Sequence, residues 1–225
     1  MSTTVKIPLF VEIVGDTAVG KTHLSLTFPK PLLIDLTPKG EGLPIVLKLY
    51  PEEWLKRYIR VRSFGQIREA VKNAIRNPDY LTIIFDTSTD LRQLAAEEYL
   101  RETGKKSVYP VTEWRYVREK IDNLIYEIIN AKKNLVFTSQ LKDEYIDGKF
   151  TGRKVRDGYK KTPYFADIRI YLVLRKTDKG YKREGVILKN RFVDKASEEY
   201  VERIEDPSFE KIVEITKLPK EVLVL

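Results

Sequence analysis

The sequence predicts an α/β fold in which a mainly parallel central sheet is flanked by helices and carries an antiparallel hairpin at one edge. Apolar runs of strand length alternate with amphipathic stretches of helix length over the first 140 residues, the pattern of a parallel sheet covered on both faces. From Asp167 onward, two alternating runs separated by a short polar turn predict the hairpin. No internal repeat or low-complexity linker interrupts the pattern, so residues 1–225 are expected to form one domain.

The strands are predicted where apolar residues are continuous or alternate with polar ones. In chain order they are Leu9–Val14, Leu32–Asp35, Arg57–Arg62, Leu81–Phe85, Asn134–Ser139, Ile168–Arg175 and Arg183–Lys189. Between the last two, Asp178, Lys179 and Gly180 are typical of a tight hairpin turn.

The helices are predicted from apolar positions at helical spacing and from residues that favour helix ends. In chain order they cover Gly20 to about Phe28, a stretch before Arg57, Ser63 to about Asn77, Leu91–Arg101, Thr112–Lys133 and a short terminal segment. Ser63 and Gln66 have the spacing of a capping box. Asp206 and Pro207 are expected to cap the terminal helix.

Between the first strand and the first helix lies a match to the phosphate-binding motif G-x-x-x-x-G-K-[ST], in the place where that motif must lie. Its residues are Gly15, Asp16, Thr17, Ala18, Val19, Gly20, Lys21 and Thr22. The glycines let backbone N–H groups turn inward around phosphate oxygens, and the helix N-terminus adds partial positive charge. Lys21 is expected to reach the β- and γ-phosphates of ATP, and the Thr22 hydroxyl to coordinate Mg²⁺.

A second element supports this site. The apolar strand Leu81–Phe85 ends at Asp86, which is the pattern of a Walker B strand. Asp86 is predicted to hold the metal ion through its water shell. ATP and Mg²⁺ are therefore the predicted ligands of this chain.

Composition limits the classes of function. The absence of cysteine excludes disulfides, zinc–thiolate sites and cysteine nucleophiles, and the lone His23 has no second His for a metal site. No apolar run reaches the ~20 residues of a membrane span, and the first ten residues do not resemble a signal peptide. A cytoplasmic protein with no membrane partner is predicted. The Lys/Glu-rich composition, with only three glutamines, resembles hyperthermophile usage, and an ordinary charged surface is the alternative.

Positive charge is concentrated in one part of the chain. Residues 141–195 hold sixteen basic and eight acidic side chains, which accounts for the whole net charge of +8. This asymmetry predicts a polyanion partner for that segment. The alternative is that the basic residues only solvate a surface.

Within that segment, residues 141–163 are predicted to form a flexible loop that binds single-stranded nucleic acid. Cations can follow the phosphates while aromatic rings stack on the bases. The predicted contact residues are Lys149, Phe150, Arg153, Lys154, Arg156, Tyr159, Lys160 and Lys161. A mobile lid or a plain surface hairpin are the alternatives, and Glu102–Pro110 is a weaker candidate for a second contacting loop.

Five elements in the right order resemble RecA-type recombinases. They are the phosphate-binding loop, the strand that ends Asp86-Thr87-Ser88, the strand Asn134–Gln140, the strand Ala166–Leu172 and the segment Gly185–Arg191. The short chain is most similar to the minimal RecA-like ATPases encoded by phages and archaeal viruses. The resemblance implies a RecA-like P-loop NTPase core.

The resemblance also implies roles for three polar side chains. Gln140 would sense the γ-phosphate and report hydrolysis to the segment that follows it. Lys189 and Arg191, on one face of a strand, would reach across to the ATP of a neighbouring subunit in a ring or filament. From the residues alone, Gln140 could equally be a structural amide, and the two cations an exposed basic edge.

The sequence departs from that family at the catalytic base. The strand after the P-loop helix ends in D-x-E in these proteins, whereas this chain has Asp35-Leu36-Thr37. Glu41 is the candidate replacement, with Asp35 as a second one. The predicted function is a DNA-stimulated ATPase acting on single-stranded DNA in recombination, annealing or replication. The alternatives are a P-loop phosphotransferase with a basic lid and a non-hydrolysing, ATP-dependent DNA-binding module.

Overall fold

A computed structural model describes residues 6–225. The prediction about a signal peptide rests partly on residues 1–5, which lie outside the described residues. The strands of the described chain are β1 (Phe10–Val14), β2 (Pro31–Asp35), β3 (Tyr58–Arg60), β4 (Thr82–Asp86), β5 (Asn134–Ile146), β6 (Lys149–Asp157), β7 (Ile168–Thr177), β8 (Gly180–Asn190) and β9 (Arg203–Glu205).

The strand order confirms the predicted sheet. The order is β3-β2-β4-β5-β1-β7-β8-β9, and every pair from β3 through β7 is parallel. Strand β8 returns antiparallel to β7, which confirms the edge hairpin, and β6 pairs antiparallel with the outer half of β5. Because parallel strands share a direction, the carboxyl ends of β1, β2, β4 and the inner half of β5 meet at one edge of the sheet.

Helices cover both faces of the sheet. They are α1 (Lys21–Ser25), α2 (Leu43–Leu49), α3 (Trp54–Arg57), α4 (Phe64–Arg76), α5 (Ser88–Thr103), α6 (Trp114–Asn130), α7 (Thr162–Phe165) and α8 (Phe209–Thr216), with 3₁₀ turns at Val111–Glu113 and Lys220–Val222. Successive strand residues point to opposite faces. Phe85 therefore packs in the core beneath α4, α5 and α6, whereas Ile84 packs in the core beneath α1, α2 and α8. Among the described helices, none combines the length and apolar character needed to cross a bilayer.

Several predicted helix ends are corrected. Helix α1 stops at Ser25, three residues before its predicted end. The Ser63 side chain accepts the Gln66 N–H as predicted, but Gln66 Oε1 accepts from the N–H of Arg62, so only half of the capping box forms. The cap of the terminal helix is Ser208, whose side chain accepts the Lys211 N–H.

The largest correction concerns residues 141–163, which do not form an irregular loop. Strand β5 continues to Ile146, turns through Asp147 and Gly148, and returns as β6. Both turn residues have positive φ angles, 49° and 77°, as a two-residue hairpin turn of type I′ requires. Asp-Gly is a strong hairpin signal that the compositional argument overlooked, because neither strand has a continuous apolar face. The surface-hairpin alternative is correct.

Candidate nucleotide-binding site

The phosphate-binding loop joins the buried strand β1 to α1, as the motif predicts. A side chain at Gly15 would place its Cβ 2.6 Å from the Leu172 carbonyl oxygen and 2.9 Å from Val19 Cγ2. Gly20 has a φ of 99°, a conformation that L side chains rarely adopt. The loop is therefore a tight cradle in which both fixed glycines are required.

Lys21 lies across the mouth of this loop. Its Nζ donates to the carbonyl oxygens of Gly15, at 2.9 Å, and of Asp16, at 2.7 Å. Burial lowers the pKa of Lys21, while the carboxylates of Asp86 and Asp16 oppose the shift. The cation is thus held where anionic phosphate oxygens can replace the two carbonyls.

Thr22 and Asp86 meet beside the loop. Thr22 Oγ1 donates to Asp86 Oδ2 at 2.7 Å, and the Thr138 hydroxyl donates to Asp86 Oδ1. Burial raises the pKa of Asp86, although these two hydrogen bonds oppose the shift. One hydroxyl and one carboxylate are hard oxygen donors and fit Mg²⁺. Within residues 6–225 no cluster of three or more His, Cys, Asp or Glu could hold a metal alone, so phosphates and water would complete the coordination.

The two candidates for the catalytic base have different surroundings. Asp35 is fully buried and accepts hydrogen bonds from the Thr37 N–H, the Thr37 hydroxyl, the Gly42 N–H and the Tyr58 hydroxyl, at 2.6–3.1 Å. Asp35 therefore organises the following loop, and its candidacy as a base is wrong. Glu41 is exposed, lines the cleft beside the P-loop, and is held through its N–H to Thr37 Oγ1 at 2.9 Å.

An arginine that the sequence analysis missed lines the opposite side of this cleft, which encloses about 570 Å³. Arg183, on β8, packs directly over the P-loop, since a Cβ on Gly20 would lie 2.4 Å from its Nε. Burial lowers the pKa of the neighbouring His23, and the charges of Arg183 and Lys48 lower it further. Nothing in the alternation of β8 distinguishes this arginine from its basic neighbours, so only the fold reveals it.

The comparisons with known proteins agree with this geometry. A family model described as an AAA domain matches residues 8–192. The chain belongs to this AAA domain family. Its fold resembles that of the KaiC-like protein PH0186 from the hyperthermophilic archaeon Pyrococcus horikoshii OT3, with a TM-score of 0.51, 16% identity, and coverage of 84% of this chain and 88% of that chain. A search of the curated proteins found no match. The chain is therefore a P-loop domain of RecA-like fold.

In this AAA domain protein, Gln140 lines the cleft at the point where β5 leaves the parallel sheet and enters the hairpin. The preceding residue, Ser139, bonds through Oγ to Ser88 Oγ and to Glu12 Oε1, both at 2.8 Å. Glu12 is fully buried, and its carboxylate also accepts from Arg169 Nε at 2.7 Å. The root of the hairpin is therefore fixed to the strand that leads into the P-loop.

Two residues predicted to bind nucleic acid contact β1 and the P-loop within the protein. The Arg156 guanidinium donates to the buried Glu12 carboxylate and to the Tyr159 carbonyl oxygen. Lys154 Nζ lies 2.6 Å from Oδ1 of the P-loop residue Asp16. The phosphate-contacting role predicted for Arg156 is wrong, because its largely buried guanidinium is already engaged by Glu12 and by the Tyr159 carbonyl oxygen. The Lys154 side chain is half exposed but directed at the P-loop.

Two further predicted residues contact helix α6. The Tyr159 side chain is 1% exposed, and its hydroxyl donates to Asp122 Oδ1 at 2.6 Å. Lys161 Nζ lies 2.5 Å from Asp122 Oδ2. A ring with no exposed face cannot stack on a base, so the prediction for Tyr159 is wrong. Lys149, Phe150, Arg153 and Lys160 are exposed, and their contact with nucleic acid stays a prediction.

Lys189 and Arg191 lie at the opposite end of the sheet from the P-loop, because Asn190 pairs with the first residue of β7. Lys189 Nζ donates to the Ala166 carbonyl oxygen at 2.6 Å, and the Arg191 guanidinium lies 3.1 Å from Asp167 Oδ1. Burial and the neighbouring Arg191 lower the pKa of Lys189. Neither cation contributes to the cleft of its own chain, and a role at a neighbour's site stays a prediction.

Proposed function

We propose that this protein hydrolyses ATP in the cleft beside the P-loop and couples hydrolysis to single-stranded DNA bound by the β5–β6 hairpin. The observation that supports the proposal is the continuity of β5. One strand carries Gln140 into the nucleotide cleft and then runs without interruption into a basic hairpin whose Lys154 pairs with Asp16 of the P-loop.

In the proposed mechanism, the residues of the cleft have separate roles in phosphoryl transfer. The P-loop amides and Lys21 bind the phosphate oxygens, and Thr22 and Asp86 hold the metal ion. Mg²⁺, when bound, neutralises charge on the β- and γ-phosphates. Glu41 orients the attacking water in place of the glutamate that Thr37 replaces. The exposure of Glu41 in the cleft and the engagement of Asp35 elsewhere support this assignment.

The hairpin carries the features of a single-strand binding surface at its tip. Tyr145, Ile146 and Phe150 are 62%, 59% and 56% exposed, and the rings of Tyr145 and Phe150 lie 5.8 Å apart. Lys149 and Arg153 supply exposed cations on the same strand as Phe150. Rings that stack on bases next to cations that contact phosphates favour single strands without strong sequence preference.

Coupling between the two regions runs through Gln140 on β5, and the ion pair of Lys154 with Asp16 reinforces it. A triphosphate in the P-loop adds negative charge close to Asp16, which strengthens the attraction on Lys154 and fixes the hairpin. Lys189 and Arg191 reach the ATP of a neighbouring subunit, which requires a ring or filament. The combination suits recombination, annealing or replication of viral or plasmid DNA.

The test is phosphate release from ATP·Mg²⁺ with and without a single-stranded oligonucleotide, with Lys21→Ala as the background. We expect release above background that rises several-fold with DNA and is lost in Glu41→Ala. Release equal to background, with DNA binding intact, would instead identify a non-hydrolysing module, which the threonine at position 37 favours as the second candidate.

A further inference from the structure

A second cleft, of about 350 Å³, lies between helices α5 and α6 and the segment that follows β6, and we call it the α5–α6 pocket. Its polar wall consists of Arg92 from α5, Trp114 and Arg118 from α6, and Lys160. The buried ring of Tyr159 forms part of its apolar floor. Trp114 is half-buried, so one part of the indole remains accessible.

The charge of this pocket is unbalanced. Three of its lining side chains are basic and none is acidic. Arg92 pairs with Asp157 at 3.3 Å, but no ion pair among residues 6–225 involves Arg118 or Lys160. Two cations beside an indole, over an apolar floor, complement a ligand that has both a flat ring and a negative charge.

The size of the pocket limits the ligand further. Small-molecule sites enclose about 300–1,000 Å³, so this cleft suits a unit no larger than one nucleotide. It also lies at the root of the proposed DNA-binding hairpin, since Lys160 follows β6 by three residues and Asp157 at the end of β6 pairs with Arg92. The position and the chemistry favour the same occupant.

We propose that the α5–α6 pocket binds one nucleotide of a single-stranded nucleic acid, with its base against Trp114 and its phosphate between Arg118 and Lys160. This inference rests on the proposed function and adds to it a defined subsite away from the hairpin tip. An unpaired nucleotide held here anchors the strand at the root of the hairpin.

The two tryptophans of the chain permit a direct test. In a Trp54→Phe variant, Trp114 is the only indole, and its emission is followed while an oligo-dT strand is added. We expect quenching with the same midpoint as binding measured by anisotropy of the labelled strand. We also expect Trp114→Ala to weaken binding about 5- to 150-fold, the range for stacking of one base, and Trp114→Phe to restore most of the loss.

The cationic wall is tested by a matched pair on the same helix. Arg118→Ala should weaken binding and reduce the slope of log affinity against log salt by about 0.7, as loss of one phosphate contact to a single strand predicts. Arg115→Ala removes the same charge from a residue of α6 that does not line the pocket, because its guanidinium packs over the ring of Tyr116. This variant should leave the slope unchanged.

The outcomes separate this inference from the proposed function. Unchanged Trp114 emission, together with normal binding by Trp114→Ala and Arg118→Ala, overturns the proposal that the pocket binds a nucleotide. If a Lys149→Ala/Arg153→Ala tip variant loses binding in the same assay, the proposed function still stands. Equal weakening by Arg118→Ala and Arg115→Ala would also overturn the pocket. No binding of oligo-dT by the wild-type protein would overturn both.

Discussion

Two hairpins flank the P-loop, and they differ in how firmly the rest of the fold holds them. Strands β5–β6 direct Lys154 to Asp16 on one side of the loop, while β7–β8 place Arg183 over Gly20 on the other. Each hairpin begins as a parallel strand of the central sheet and returns antiparallel.

The difference lies in what covers each hairpin. Alternate residues of β7, namely Ile168, Ile170 and Leu172, are buried in the core that α8 completes. Beyond Ser139, no residue of β5 or β6 is fully buried. Few buried contacts give a region low local stability, so we expect β5–β6 to respond to a ligand and β7–β8 to act as a fixed wall.

Asp86 belongs to neither hairpin, and its replacement should have the largest effect on turnover. Asp86→Asn removes the carboxylate that we propose holds the metal ion, so we expect hydrolysis to fall by at least about 100-fold. Burial raises the pKa of Asp86, so the folded protein holds this proton more tightly than the unfolded chain does. The carboxylate therefore costs stability increasingly as pH rises above 3.8, and the cost is complete once pH exceeds the raised native pKa.

The same variant should consequently be more stable at neutral pH. We expect its melting temperature to exceed that of the wild type. The difference should shrink as pH falls towards 4, which calorimetry at several pH values can follow. An Asp86→Asn variant less stable than the wild type at neutral pH would show that the carboxylate stabilises the fold.

Substitutions at the root of the β5–β6 hairpin should destabilise the protein much more than substitutions in its exposed part. Arg156→Ala removes one cation from the fully buried Glu12, so we expect a loss of about 3 kcal/mol in the free energy of unfolding. Arg153→Ala removes the same charge from the exposed part of the same strand and should change stability by no more than about 0.5 kcal/mol. Urea unfolding of both variants measures the contrast, and equal losses would contradict a fixed root.

Replacement of Arg183 tests whether the β7–β8 hairpin forms a fixed wall of the nucleotide cleft. Its guanidinium lies over the P-loop, so Arg183→Ala should weaken ATP binding about tenfold, the value of one charge-assisted hydrogen bond. Lys182→Ala, which alters an exposed neighbour on the same strand, serves as the control and should bind ATP normally. Titration with a fluorescent ATP analogue measures both, and equal affinities would place Arg183 outside the bound nucleotide.

Replacement of Lys154 tests whether the β5–β6 hairpin responds to bound nucleotide. Among these replacements it should have the smallest effect. The ion pair with Asp16 is half exposed, so Lys154→Ala should hardly change the free energy of unfolding. We expect instead a several-fold smaller stimulation of phosphate release by DNA. Stimulation equal to that of the wild type would show that the ion pair takes no part in the coupling.

The same contrast explains what the sequence could and could not predict. The P-loop, Asp86 and β7–β8 were predictable because a local motif or a buried alternating face specifies each of them. The β5–β6 hairpin was not, because its strands bury little and only Asp147-Gly148 marks the turn. Arg183 and Trp114 escaped notice for a different reason. Their partners, Gly20 and Lys160, are distant in sequence, and only the folded chain brings them together.

The central claim is that β5 links the γ-phosphate to single-stranded DNA. Linkage requires that any effect of nucleotide on DNA affinity be mirrored by an equal effect of DNA on nucleotide affinity. The most direct measurement is therefore oligo-dT affinity with and without a non-hydrolysable ATP analogue, in the wild type and in Gln140→Ala. We predict tighter binding with the analogue in the wild type and no difference in the variant. A wild-type affinity that is the same with and without the analogue would contradict the account.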